Sequence, residues 1–567
     1  MQTLYLRLAP HLIAAVELIL MAAASVLIFR SRRQHSESPV LLSLGRAFKR
    51  LAQRRGLAAL AVGVGVIVTR VAFIPVLGIP QPTWNDEFSY LLAADTFAHG
   101  RLTNPTHPMW IHFETFHIIE HPTYMSMYPP AQGLVLAAGQ ILGHPWIGQL
   151  LITATMCSLL CWMLQAWLPA RWALLGGTLA ALRLGILSYW MNTYWCASVA
   201  ALGGAMVLGA WPRIRRRPNI ANSLVLALGL VILANSRPYE GLVFSLPVAF
   251  AMLAWTGGPG HPHTTTSLAR VVLPIAAVLL LGGLATGYYY SRVTGSPFVM
   301  TYEVNRVQYA TAPYFIWQEP RPEPEYHHAV MRDYYRWELV EFERNRTLTG
   351  YVARAAEKIG EWWQFYLGPL LTVPLLVFRW VMKSRKMRLP LALCGTMIAG
   401  FAVQTWTFPH YFSPATGAVY ILLVLSLRYL RLWRRHAGGV GRAVVHAVPV
   451  LACAMILLRV GAAALHTHIE PDWPRGNLER AAVVHQLRQF AGDQLVLVCY
   501  ASHHNVDHEW VWNEASIDDA KVVWARDMGD SANVELLRYF NNRQVWLIHG
   551  DDPSPKLEPY ADGAPRD

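Results

Sequence analysis

Cysteine, charge and acidity are all scarce in this chain, and each shortage closes off a class of protein. The six cysteines, Cys157, Cys161, Cys196, Cys394, Cys453 and Cys499, lie mostly inside apolar runs and form no CxxC pair. That excludes a zinc knuckle and a disulfide framework. Only 15% of the 567 residues are charged, against 54% hydrophobic. An ordinary soluble protein of this size is thereby excluded, and a polytopic membrane protein is indicated. The first apolar run, 11–29, is too long for a signal-peptide core and lacks a small-residue cleavage site, so no cleavable leader is expected.

What is present is a succession of apolar runs. A bilayer core roughly 30 Å thick needs about 20 apolar residues per helical span. Runs of that kind recur near 11–29, 57–79, 145–167, 172–188, 195–211, 220–235, 240–255, 270–290, 363–381, 389–407, 412–428 and 443–462. The expected fold class is a polytopic α-helical membrane protein with about twelve transmembrane helices. Basic residues cluster from Arg30 to Arg55, in "RIRRRP" at 213–218, in "KSRKMR" at 383–388 and from Arg428 to Arg435. Alternating the spans brings all four clusters to one side, which the positive-inside rule assigns to the cytoplasm. This pattern accounts for the net charge of +13 and leaves no call for a nucleic-acid partner. The loops 80–144 and 291–362 then lie outside. A secondary transporter is the competing class at this span count, but the halves show no internal repeat and no mid-helix charges of the kind that line transport pathways are expected.

From 466 onward the pattern changes. "LERAAVVHQLRQFAG" and "SANVELLRYF" read as helices, and "DQLVLVCYA", "AKVVWARDMG" and "RQVWLIHG" as buried strands. The expectation is a small C-terminal extracytoplasmic α/β domain, 466–567. It has no glycine-rich phosphate loop and is read as a binding or scaffolding unit. The remaining chain divides into an N-terminal helix with a basic loop, 1–56, and a transmembrane domain, 57–465.

The first outer loop opens "TWNDEFSYLLAADTFAHGRL" and holds the densest set of reactive side chains. A charged group at mid-membrane costs roughly 2.5–3.5 kcal/mol, and less at the interface. Asp86 and Glu87 therefore admit two readings. In one, Asn85 or Asp86 caps an interfacial helix; in the other, a carboxylate whose pKa its neighbour perturbs does chemistry. "HIIEH", 117–121, matches an inverted zinc-protease pattern, although Pro122 would end a helix after one turn. A divalent-metal site drawing on His112, Glu114, His117 and His121 stands beside the reading of a solvated, histidine-rich loop. "ANSRPYEGLVFSLP" sets Arg237 and Glu240 at an outer boundary, either as a structural ion pair or with Arg237 free to grip a phosphate. "TFPHYFSP" brings His410 and Tyr411 to another outer turn. "SYWMNTYW" adds Asn192 among aromatics that suit either sugar rings or a membrane belt.

The order of these motifs carries a resemblance. A basic inner loop, a span, an outer loop opening on an acidic dipeptide and running into "PTYMSMYPPAQGLVLAAGQILG" at 122–143, then "SRPYEG" and the "PHY" turn, resembles the GT-C membrane glycosyltransferases over residues 57–462. Within them the chain looks like the family of protein O-mannosyltransferases and lipid A aminoarabinose transferases. The resemblance implies an inverting transfer of a sugar from a polyprenyl-phosphate carrier to an acceptor hydroxyl on a lipid, glycan or protein. It also implies a bacterial inner membrane, with the site facing the periplasm. Asp86 would be the general base and Glu87 its neighbour in positioning the acceptor. Arg237 and His410 would hold the donor phosphate, while Tyr128, Glu240, Tyr411 and Asn192 would complete the substrate-binding set. No cofactor is required, and a divalent metal stays open. The N-terminal span and the C-terminal segment have no counterpart in the family pattern. A polymerase or ligase of lipid-linked glycans would share the donor type.

Overall fold

The computed structural model describes residues 2–31, 39–256, 268–432, 440–465, 476–502 and 504–560. Arg32, Arg33, Arg434 and Arg435 of the basic clusters, and the expected boundary at 466, lie outside them. The helices that matter below are α1 (Gln2–Ser31), α2 (Arg55–Ala72), α3 (Asn85–Ala98), α4 (Pro145–Trp167), α5 (Ala170–Ala180), α6 (Ala197–Arg216), α7 (Ile220–Ala234), α8 (Pro238–Thr256) and α9 (Leu273–Thr294). They are followed by α10 (Ala329–Arg346), α11 (Leu348–Tyr366), α12 (Arg388–Ala402), α13 (Thr416–Leu432), α14 (Val440–Ala464), α15 (Leu478–Gln489) and α16 (Asp530–Tyr539).

Among the described residues, seven helices are long and apolar enough to cross a membrane, or eight if the pair Leu348–Tyr366 and Gly368–Met382, bent by 91°, is one span. The other expected runs are helical but interrupted or short. Leu12–Val26 and Ile220–Ala234 are shorter apolar helices. The run 172–188 divides into α5 and a π-helical turn, Ala181–Gly185, and 389–407 stops at Ala402. About twelve full spans were expected. The difference arises because apolar composition does not say where a helix breaks. Gly368, the first residue of the next helix, takes a left-handed φ of 59°, which glycine adopts at little cost, and Pro369 follows it in the first turn.

Charges do occur inside the apolar helices, contrary to the sequence expectation: Glu17 in α1, Arg183 in the π-helical turn and Arg459 in α14. A window of 20 apolar residues absorbs a single charge without losing its hydropathy, which is why the pattern hides them.

The bundle closes around α6, which is buried along most of its length and packs against α4 and α7. Glycines permit the approach. A Cβ on Gly204 would lie 1.9 Å from the Pro414 carbonyl oxygen, so the turn Pro409–Ala415 that precedes α13 rests directly on the α6 backbone.

At one end of the bundle, loop 80–144 folds into a layer of its own. Strands β1 (Asn104–Pro105), β2 (Ile118–Ile119) and β3 (Thr123–Ser126) form an antiparallel sheet in the order β1-β3-β2. The "HIIEH" stretch is thus strand rather than helix, and His117 enters it at φ 59°. In the C-terminal segment β4 (Gln494–Cys499) lies between β5 (Val522–Arg526) and β6 (Gln544–His549), both parallel to it, with β7 (Glu558–Pro559) antiparallel at the edge. This sheet does not stand apart from loop 80–144. Phe88 stacks on Trp512 at 4.7 Å between ring centroids, Arg480 lies over the Phe88 ring, and Arg526 Nε donates to the Glu114 carbonyl at 2.8 Å. One apolar cluster runs from Phe88, Phe113 and Phe116 into Leu495, Trp512 and Val523.

Candidate active site

Helix α3 begins at Asn85 after an extended Trp84 and carries Asp86 and Glu87 in its first turn, where negative charge meets the positive end of the helix dipole. The expected cap by Asn85 or Asp86 is not the one that forms. Glu87 reaches back instead: its Oε2 accepts from the backbone N–H groups of Thr83 and Trp84 at 2.9 and 3.1 Å. Its Oε1 accepts from Tyr194 N at 3.1 Å. Glu87 is 1% exposed. Burial lifts its pKa to about 7 even though three backbone donors favour the ionised form. The side chain binds the start of α3 to the segment after Asn192 and faces the wall, away from the cleft in which Asp86 stands. Those three backbone hydrogen bonds make Glu87 a clamp between the start of α3 and Tyr194.

Asp86 points the other way. Tyr128 Oη–H donates to Asp86 Oδ1, and His117 Nδ1 lies 2.6 Å from the same oxygen. Burial raises the carboxyl's pKa, but the His117 imidazole and the hydrogen bonds from His117 and Tyr128 outweigh it and hold the group below the ordinary aspartate value. His117 Nε2 meets the hydroxyl of Tyr334, on α10, at 3.0 Å. Nδ1–H donates to Asp86, and the second ring nitrogen is held by the Tyr334 hydroxyl, which can donate or accept. The left-handed backbone of His117 is sparsely populated for a non-glycine residue. It is held there by Ser89 Oγ–H and Met127 N–H, which donate to its carbonyl at 2.7 and 3.1 Å.

Across the cleft, the break between α7 and α8 exposes Arg237 to the interior. Its Nη2 donates to Glu240 Oε1 at 2.7 Å, and its guanidinium carbon sits 3.7 Å from the centre of the Tyr411 ring. Its Nε is buried and makes no hydrogen bond among the described residues. His410 is buried on the turn that rests on Gly204, with Nδ1 3.3 Å from the Tyr189 hydroxyl and its ring 4.6 Å from Trp195. The charges of both Asp86 and Arg237 reach His410 and Tyr411. Tyr302 fills the side of the cleft against Tyr128, ring centres 5.4 Å apart.

Asp86 and Tyr128 are hydrogen-bonded, Arg237 pairs with Glu240 and lies over the Tyr411 ring, and the charges of Asp86 and Arg237 both reach His410 and Tyr411. Asn192 is not free to join them. Its Oδ1 accepts from Arg70 Nε at 3.1 Å, and its amide donates to the carbonyls of Ile186 and Ser188, so its polar atoms are consumed in the wall. The four proposed metal ligands also separate. His117 belongs to Asp86. Glu114 accepts from Tyr309 and pairs with His327 and His328. His112 meets the Arg526 carbonyl, and His121 packs edge-on against Trp110. No group of three or more His, Cys, Asp or Glu among the described residues is arranged to hold a metal ion. The sequence reading missed His117 as the partner of Asp86 and missed Tyr334 and Tyr302 altogether. The only local signal for Tyr334 is an aromatic pair, "DYYRW", on an otherwise polar helix.

No protein-family model matches the chain, and no curated protein matches it. Among solved structures it is similar to ArnT from Cupriavidus metallidurans in the apo state, at TM-score 0.50 and 15% identity, over 86% of this chain and 92% of that one. The same protein bound to undecaprenyl phosphate matches at TM-score 0.49 and 14% identity, over 86% and 92%. The apo oligosaccharyltransferase of Archaeoglobus fulgidus matches at TM-score 0.49 and 13% identity, over 87% and 69%. At such identities the likeness is one of fold, and the match to apo ArnT carries it: the chain has the GT-C fold.

Proposed function

We propose, with the GT-C fold as premise, that this chain is an inverting glycosyltransferase that moves a sugar from a polyprenyl-phosphate carrier to an acceptor hydroxyl. The reading is supported by Asp86, whose carboxyl His117 and Tyr128 hold below the ordinary aspartate value, and by the buried guanidinium of Arg237, since both charges reach His410 and Tyr411. Asp86 takes the proton of the acceptor hydroxyl as its oxygen attacks the anomeric carbon. The bond between that carbon and the phosphate oxygen breaks on the opposite face, and the negative charge that develops on the phosphate meets Arg237, with its uncommitted Nε, and His410. His117 and Tyr128 fix the Asp86 carboxylate, and Tyr334 orients His117. The rings of Tyr411 and Tyr302 offer faces for a sugar. Such a donor suits a site at the edge of a membrane bundle, since the phosphate stays wet while the prenyl chain stays in lipid. The positive-inside pattern supports a catalytic face on the extracytoplasmic side of a bacterial inner membrane. The acceptor is a hydroxyl on a lipid, a glycan or a protein.

The test uses purified protein in detergent with a radiolabelled polyprenyl-phosphate sugar and membrane acceptors. Asp86→Asn keeps the shape and removes the base, and transfer is expected to fall by about 10²–10⁴-fold. Transfer at the wild-type rate would show that Asp86 is not the base.

A further inference from the structure

Loop 80–144 and α10 supply the groups around Asp86, and a third part of the chain reaches them. Beyond β4 lies the single turn Val506–His508, which is held from both sides. Before it, Asp551 accepts from the Ala501 N–H at 2.8 Å and meets His504 Nδ1 at 2.7 Å. After it, Glu509 accepts from the Val511 N–H at 2.9 Å and pairs with Arg526 at 2.7 Å, the same Arg526 whose Nε donates to the Glu114 carbonyl of the outer loop. Between these anchors, Val506 packs against the apolar cluster that holds Phe88, Phe116 and Tyr334. Phe88 lies two residues after Asp86, Phe116 precedes His117, and the Tyr334 hydroxyl meets His117. The turn is docked on the frame of the Asp86 carboxylate.

Asp507 follows Val506 and is half-buried. Its backbone N–H donates to Asn505 Oδ1 at 3.2 Å, while its carboxylate makes no hydrogen bond or ion pair among the described residues. Withdrawing a charge from water without a partner is costly. Burial and the charge of Asp86 together lift the Asp507 carboxyl to about 6, with His504 acting against them. The His504 side chain is 4% exposed, and its Nε2 also makes no hydrogen bond among the described residues. Beside Asp86 the fold thus sets a carboxylate and an imidazole nitrogen whose hydrogen-bonding capacity is unused. Hydroxyl groups are the complement of a carboxylate, which only accepts. A phosphate or carboxylate on the acceptor would instead meet two like charges in a half-buried place, where repulsion is strong.

We propose that Asp507 is an acceptor-binding residue: its carboxylate accepts a hydrogen bond from a second hydroxyl beside the one that Asp86 deprotonates, so the acceptor is a polyhydroxyl group, such as a glycan, with no anionic group next to the reacting hydroxyl. The proposal rests on the reading of Asp86 as the base.

The test uses the purified full chain with saturating radiolabelled polyprenyl-phosphate sugar and graded amounts of a detergent extract of bacterial membranes as acceptor. Asp507→Asn, which has no hydrogen bond within the fold to lose, is expected to raise the half-saturating amount of extract about tenfold, the worth of one charge-assisted hydrogen bond. Its kcat and its KM for the donor should stay at wild-type values, and Asp507→Glu should recover part of the loss. Asp507→Lys should saturate no more readily than Asp507→Asn. Wild-type saturation in Asp507→Asn, or a lower kcat with saturation unchanged, would overturn the proposal. So would tighter saturation in Asp507→Lys, which would put an anionic group beside the reacting hydroxyl. Asp86→Asn separates the two readings. Transfer by that variant at the wild-type rate removes the base and this proposal with it. Loss of transfer there, with Asp507→Asn saturating like the wild type, removes the acceptor role of Asp507 alone.

Discussion

Asp86 and Glu87 are neighbours in sequence with opposite environments, and the difference is measurable. The Asp86 carboxyl is held below its ordinary pKa by His117 and Tyr128 against the opposing effect of burial. In His117→Ala burial acts with less opposition, and the acid limb of the kcat/KM profile should move to higher pH; a limb that stays in place would separate His117 from the base. Glu87 is the reverse case, with a pKa of about 7 in the fold against an ordinary value of 4.5. Its protonated form is favoured by folding, so the stability it contributes is complete below pH 4.5 and is lost as pH rises through about 7. Melting temperatures across that window should decline in the wild type relative to Glu87→Gln, whose amide does not titrate. Parallel curves would show that Glu87 does not titrate there. The acidic pair itself was legible in the sequence. Which member faces the cleft was not, because consecutive helical residues point about 100° apart and the sequence does not say which direction is inward.

Elements place the remaining groups. His410 is in the cleft because its turn seats on Gly204, where a Cβ would meet Pro414 O at 1.9 Å. Gly204→Val should displace the turn, lower stability by about 1–3 kcal/mol and reduce transfer while leaving helix content intact. A variant with unchanged melting temperature and rate would refute the seat. The "HIIEH" stretch teaches the complementary lesson. Spaced on a helix, its histidines would share a face; as a left-handed residue followed by strand β2, they part, and His117 alone turns to Asp86. Five residues carry no information about which backbone their surroundings impose. Likewise Asn192 looked free for a sugar and is tied to Arg70, a residue 122 positions away in the chain.

At the scale of the whole molecule, the C-terminal segment and loop 80–144 share a core, with Trp512 stacked on Phe88 two residues from Asp86. Trp512→Ala removes that contact and should cost about 3–5 kcal/mol. It should also weaken sugar transfer, although Trp512 has not been placed in the cleft. Full activity with lowered stability would make the contact structural alone. What the sequence determined by itself was the class of molecule: apolar runs at lipid length and motifs in GT-C order depend on composition and sequence order, which need no third dimension. Only the tertiary structure decided how many runs continue as long helices, that Glu87 clamps the wall while His117 holds Asp86, and that the C-terminal segment shares a core with loop 80–144. Those outcomes depend on contacts between residues far apart in the chain, and the pattern along the chain does not record them.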